Sequence, residues 1–185
     1  YEDRQGLIWV GTWTGGLSMH NPATQNVRLI RHSSRDRLSL PASPVRALFL
    51  DGDGSLWMGV QEGGGLVQYD LNRGVRQRWV HDPADPRSLG SSQVQAVRRG
   101  PDGRLWVGTQ GAGLSRLRSD GGFDHFRHAA EDPRSLPHDV VQALHFDDQG
   151  QLWVGTEAGG LARYIDDASG FERYAARPGE DGALQ

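Results

Sequence analysis

The chain has 185 residues, no cysteine and a formal net charge of −3. That length allows a real hydrophobic core, while the missing cysteine excludes a disulfide framework and a thiolate metal site. The balance is mildly acidic and the arginines are spread along the chain, which excludes an electrostatic case for nucleic acid.

From the start, Tyr1-Glu2-Asp3 aligns with the end of a strand, and Gly6-Leu7-Ile8-Trp9-Val10-Gly11-Thr12 follows. This segment recurs as Gly54-Ser55-Leu56-Trp57-Met58-Gly59-Val60, Gly103-Arg104-Leu105-Trp106-Val107-Gly108-Thr109 and Gly150-Gln151-Leu152-Trp153-Val154-Gly155-Thr156. The tryptophan steps are 57−9=48, 106−57=49 and 153−106=47 residues. A fixed period of this size means stacked supersecondary units. The 26 glycines fall in register with it and read as turn residues.

The third unit shows the pattern best. Val94 to Val97 alternates and predicts a short strand. Asp102-Gly103 is a hairpin signal, and Leu105 to Thr109 is the second strand. Gly111-Ala112-Gly113 turns the chain into a third strand, Leu114 to Leu117. Asp120-Gly121-Gly122 turns it again into a fourth, Phe123 to His128. A connection from Ala129 to Asp139 leads to Val140-Val141-Gln142-Ala143-Leu144, where the cycle restarts. No stretch carries a sustained helical period. Four short strands per unit predict an all-β propeller segment of about four four-stranded antiparallel blades. The expected blades span 1–36, 37–85, 86–132 and 133–185. A single meander buries only one face unless it stacks on its neighbours. The repeated Trp and the recurring Leu17, Leu66, Leu114 and Leu161 are therefore expected between blades. In the second unit the turn Gln61 to Gly65 carries one extra residue.

The connections repeat as well: Asp36-Arg37-Leu38-Ser39-Leu40, Asp85-Pro86-Arg87-Ser88-Leu89 and Asp132-Pro133-Arg134-Ser135-Leu136. Asp-Pro followed by Ser favours a tight, locally hydrogen-bonded turn. His32, His81 and His128 each stand 4 residues before the connection's Asp (36−32, 85−81, 132−128). That equivalence makes them architectural, bonding the connection's Asp, and not metal ligands; 176–177 in the last unit break the pattern. His125, His128 and His138 match no ligand spacing. No metal and no cofactor are expected. No nucleophile elbow occurs. Asp51, Asp53, Asp102, Asp147 and Asp148 read as turn-forming residues, and a strand follows each glycine cluster, so none is a phosphate cradle at a helix start.

The combined pattern is Asp-Pro-x-Ser-Leu, then Val-x-x-Leu/Val, then Asp-x-x-Gly-x-Leu-Trp-x-Gly-Thr-x-x-Gly-Gly-Leu. It resembles the two-component regulator propeller repeat along essentially the whole chain. Val60, Gln5, Gln149 and the Asp36-Arg37 pair depart from it. The resemblance implies the extracytoplasmic sensor region of a membrane-bound bacterial signalling protein, in the periplasm, whose full-length form carries a histidine kinase or diguanylate cyclase output domain. It also implies more blades than four. The chain holds four outer portions but three whole inner strands, because 182–185 align with the connection before a further one. An open blade face favours self-association through blade edges. Membrane contact is expected only through segments outside this chain.

Function is expected where the repeats differ. The turn after the second strand varies as Trp13-Thr14, Gln61-Glu62, Gln110-Gly111 and Glu157-Ala158. The end of the connection varies as Ser43-Pro44, Ser92-Gln93 and His138-Asp139. The candidate ligand-binding set is Trp13, Glu62, Gln110, Glu157, Ser92, Gln93, His138 and Asp139, with no catalytic residue assigned. An aromatic, carboxylates and amides suit a polar small molecule or a polysaccharide fragment. The rival readings are a propeller lyase or glycoside-active enzyme using rim carboxylates, and a purely oligomerising scaffold.

Overall fold

The computed structural model describes residues 1–3, 6–12, 16–24, 26–30, 32–33, 35, 39–41 and 44–174. Trp13, Thr14, Gln5, Ser43, the stretch 36–38, and the tail positions 176–177 and 182–185 lie outside the described residues. Every regular element among the described residues is a β-strand. No described helix is long and apolar enough to cross a membrane.

The strands are β1 (Ile8–Thr12), β2 (Gly16–Asn21) and β3 (Asn26–Ile30). Next come β4 (Val45–Leu50), β5 (Leu56–Val60), β6 (Gly65–Asp70) and β7 (Gly74–Trp79). The third set is β8 (Val94–Arg99), β9 (Leu105–Thr109), β10 (Leu114–Leu117) and β11 (Phe123–Phe126). The last is β12 (Val141–Phe146), β13 (Leu152–Thr156), β14 (Leu161–Asp166) and β15 (Gly170–Tyr174). Each set forms its own sheet in chain order, one of three strands and three of four. These are propeller blades. In the first, Tyr1-Glu2-Asp3 takes the inner place beside β1: Glu2 bridges Ile8, and Trp9 N–H donates to the Tyr1 carbonyl at 2.7 Å.

The chain divides into two compact units, Tyr1–His81 with Ser92–Val97, and Asp82–Ser91 with Arg98–Gln185. In the first unit, Trp9, Leu17, Leu56, Met58 and Val67 belong to one buried cluster. The same joint recurs three times. Gly11 faces the Val45 carbonyl, Gly59 faces Val94 and, in the second unit, Gly108 faces Val141. A Cβ added at Gly59 or Gly108 would lie 2.6 Å from the valine Cγ1, closer than carbon atoms pack. Leu17, Leu66 and Leu114 are fully buried as expected, and Leu161 is half-buried.

The indoles are anchored by carboxylates. Nε1 of Trp9, Trp57 and Trp153 donates to Asp3, Asp51 and Asp147 at 2.9, 3.2 and 2.8 Å. These aspartates do more than form turns. The bond from Trp153, followed by the Gln151 N–H, holds the Asp147 carboxyl below the usual carboxylate range. The third blade has Gly100 at this place. Its Trp106 instead stacks on Phe126 (5.5 Å), meets Tyr164 edge-on (4.9 Å) and lies under the Arg116 guanidinium (5.2 Å). Arg116 is 7% exposed and pairs with Asp124 and Asp167, each at 2.8 Å. Burial opposes its charge, but the Asp167 and Asp124 bonds outweigh burial and raise its pKa. Tyr164 also donates to Asp167 at 2.5 Å; burial first, then this bond, push its pKa up to about 12. The Arg116 bond, then that from Tyr164, lowers the Asp167 pKa.

Each connection is closed by its serine. Ser39, Ser88 and Ser135 accept the N–H of Ser33, Asp82 and Ala129 at 3.1, 2.9 and 2.8 Å. The same hydroxyls donate to the carbonyls of those residues at 2.9, 3.0 and 3.0 Å. The repeated histidines behave differently from the expectation. Nδ1 of His32 and of His128 lies 2.8 Å from the carbonyl oxygens of Leu40 and Leu136, so each ring donates to a buried leucine's carbonyl, and His128 does so in place of the connection's Asp132. The carboxylate is already occupied: Asp85 and Asp132 each accept the N–H two residues on, at 2.9 Å.

Two outcomes follow from these contacts. Gly108→Ala overpacks the joint and should lower stability by about 1–3 kcal/mol; Val141→Ala in the same chain should recover part of that loss in a thermal-denaturation double-mutant cycle. Because the Asp167 pKa is depressed on folding, its contribution is whole above the unfolded carboxylate value of about 3.9 and fades as pH falls through the folded value. Melting temperature should drop below about pH 4, and Asp167→Asn should flatten that drop.

Candidate functional site

The turn after each second strand and the last residues of the connection close on one another through main-chain bonds. In the first unit, Gln61 N–H donates to the Pro44 carbonyl (3.0 Å) and Gly65 N–H to the Ser92 carbonyl (3.1 Å). In the second, the N–H groups of Gly111 and Gly113 both reach the Asp139 carbonyl, at 3.2 and 2.8 Å. Glu157 N–H donates to the Val140 carbonyl at 3.0 Å. Segment 138–140 is thus gripped from two sides, by the turn holding Gln110 and by the turn holding Glu157.

Ser92 and Asp139 occupy equivalent places, two residues before Val94 and Val141. Both side chains serve the frame. Ser92 Oγ accepts His81 N–H at 2.9 Å, and Asp139 Oδ1 accepts His128 N–H at 2.7 Å. The His138 ring turns back on its own segment: Nδ1 accepts Val140 N–H at 3.1 Å, so Nδ1 carries no proton and the neutral ring bears it on Nε2.

Glu62, Gln93, Gln110 and Glu157 are exposed; Ser92, His138 and Asp139 are half-buried. Glu62 takes φ +52°, a left-handed position in the long turn. Arg78 fixes that turn, donating from Nε to the Gly64 carbonyl at 2.9 Å and from Nη2 to the Gly63 carbonyl at 2.5 Å. Sequence reading did not foresee this clamp; the extra residue at Gln61 to Gly65 was the available signal. In the matching turns of the second unit, the Thr109 and Thr156 hydroxyls donate to the Gly113 and Gly160 carbonyls, at 2.8 and 2.9 Å.

The second unit therefore brings Gln110, His138, Asp139 and Glu157 into one polar patch. In the first unit the turn that holds Glu62 reaches Ser92 through Gly65, and Trp13 lies outside the described residues. The patch offers carboxylates, an amide and an imidazole on a rigid β frame, which suits recognition of hydroxyls or cations. Among the described residues, no three of His, Asp or Glu converge as a metal site would require.

Residues 39–62, 88–111 and 135–158 each match the sequence model of the two component regulator propeller family. The chain carries these repeats. No curated protein sequence matches it significantly. The extracellular domain of a putative hybrid two component system from B. thetaiotaomicron is 25% identical over 92% of the chain, with a TM-score of 0.76. The match covers 22% of that protein's chain, so the present chain spans less than a quarter of its relative. Virginiamycin B lyase from Staphylococcus aureus is 14% identical over 97% of the chain and 55% of its own, with a TM-score of 0.69. At that identity the likeness concerns the fold alone.

Replacing Asp139 by Ala removes one charge-assisted bond to His128 N–H and should cost about 1.5–3 kcal/mol. Asp139→Ser, which copies Ser92, should restore most of it; chemical denaturation of the three proteins measures both.

Proposed function

We propose that these two component regulator propeller repeats form a non-catalytic sensory module on the extracytoplasmic side of a bacterial signalling protein, periplasmic in location. In this reading a small molecule or polysaccharide fragment meets the patch of Gln110, His138, Asp139 and Glu157. Glu62, Ser92 and Gln93 form the corresponding surface of the first unit. The observation that carries the proposal is the juxtaposition of the repeat-variable turns at Asp139 and Val140, in a chain whose matched family is a two-component regulator propeller. The likeness to the extracellular domain of a putative hybrid two component system supports the compartment and the class.

The physics favours binding over chemistry at this patch. Ser92 and Asp139 each commit a side-chain oxygen to the frame. A general acid–base pair needs groups poised to exchange a proton with substrate. Signal transfer then rests on rigid-body motion of whole propellers, which a stiff β frame transmits without internal rearrangement.

The test is a thermal-shift and calorimetric survey of neutral and charged oligosaccharides with product analysis of the same mixtures. A binding ligand should raise the melting temperature. Glu157→Ala and Gln110→Ala should each weaken it at least tenfold, about 1.4 kcal/mol. Binding that ignores both substitutions would overturn the location, and product formation would overturn the non-catalytic assignment in favour of a lyase or glycoside-active enzyme.

A further inference from the structure

The third blade departs from its sister repeats at one end, and the departures converge. Aligned on the tryptophans, Arg99 stands where the other repeats have Glu2, Leu50 and Phe146. Arg104 stands where they have Leu7, Ser55 and Gln151. Two residues after the position opposite each Trp, Arg118 stands where they have Asn21, Asp70 and Ile165. Gly100 takes the place of the indole-binding Asp3, Asp51 and Asp147. Three cations are gained and one carboxylate is lost.

These residues share one depression. Arg99, Arg104, Arg116 and Arg118 line a cavity of about 430 Å³ together with Asp102 and Asp124. It lies at the turn before β9, whereas Gln110 lies in the turn after it, so the two sites occupy opposite ends of the sheet. The four cations are not equally committed. Arg116 is buried and fully engaged by Asp124 and Asp167. Arg104 and Arg118 are about half exposed, and their ion pairs are long: 3.6 Å to Asp102, and 3.3 and 3.4 Å to Asp120 and Asp124. Exposed pairs of this kind add little stability. An incoming oxyanion therefore displaces them at small cost. The planar guanidinium fork matches a carboxylate, sulfate or phosphate group bidentately. Arg99 is oriented beside them by its bond to the Gly103 carbonyl.

We propose that this end of the third blade is a second binding site, for an oxyanion-bearing ligand, with Arg104 and Arg118 as its exchangeable contacts, Arg99 as a third donor and Arg116 as its fixed floor. The site is independent of the rim patch and of the function assigned there.

The test titrates the chain with inorganic phosphate, sulfate and glucuronate, each at constant ionic strength against sodium chloride. Phosphate, or one of the other two, should give a saturable melting-temperature rise that chloride does not. The tetrahedral and carboxylate arms identify which oxyanion geometry fits, and either supports the site. The double variant Arg104→Gln/Arg118→Gln should weaken the effect at least tenfold, while Arg134→Gln, on the exposed connection, should leave it unchanged. Equal effects of all anions and chloride, or full binding by the double variant, would overturn the proposal. Should that variant misfold, the Nε–Hε resonances of Arg104 and Arg118 in the unaltered chain give the readout. They should move together along the phosphate titration, and their immobility would overturn the site.

Discussion

The missing Cβ at Gly59 and Gly108 is the constraint on which the stacking of the sheets depends. Each glycine lies on the second strand of a sheet, and the first valine of a following inner strand sits against it. Any side chain there would enter the valine's van der Waals shell. The close approach brings neighbouring hydrophobic faces into contact, and it explains why Leu56, Met58, Leu105, Val107, Leu152 and Val154 are at most 2% exposed. Sheets of five-residue strands carry little core of their own. Their stability comes from being pressed together, as in other repeat architectures.

Around that joint, the described connections are fastened by the same few bonds. The serine of the connection grips one peptide by both N–H and C=O. The histidine ring caps the carbonyl of the fully buried leucine that follows the serine. The residue two before the inner strand accepts the histidine's own N–H, whether it is Ser92 or Asp139. This last position looks variable in sequence, yet both residues are short side chains with an oxygen acceptor. Variation there is limited by the frame. Variation at Glu62 and Glu157 is not limited in the same way, since their side chains are exposed. The patch is thus a fixed base bearing changeable tips.

The repeat period, the strand pattern and the short connections were legible in the sequence because they are local: alternation, turn glycines and Asp-Pro signals act within a few residues. The strand ends were less so. The fourth strand stops at Phe126, and the first runs on to Arg99. The indole–carboxylate bond left a trace, since Asp3, Asp51 and Asp147 all stand 6 residues before a tryptophan, but spacing alone does not tell a turn former from an acceptor. The histidine partner was misjudged because the nearest polar side chain in sequence, the connection's Asp, had already been claimed by main-chain N–H groups. The Arg116–Asp167 pair joins residues 51 apart and has no local signature.

Gly100 ties these threads together. An aspartate there would place a Cβ 2.7 Å from Asp102 Oδ1 and 2.9 Å from Phe146 Cζ, so both side chains would have to shift before the third blade could hold its indole as the others do. Trp106 is held by rings and by a cation instead, and Arg116 needs two carboxylates to be tolerated in that buried place. Asp124 and Asp167 supply them. Asp167 and most of Asp124 serve Arg116, Asp124 reaching Arg118 only at 3.4 Å, and the loss of the indole-binding carboxylate removes a further negative group. Arg104 and Arg118 line the neighbouring depression with only long, exposed pairs to Asp102, Asp120 and Asp124. Glycine in place of aspartate goes with the altered anchoring of the tryptophan, and together with Arg99, Arg104 and Arg118 it gives that end of the blade its positive character.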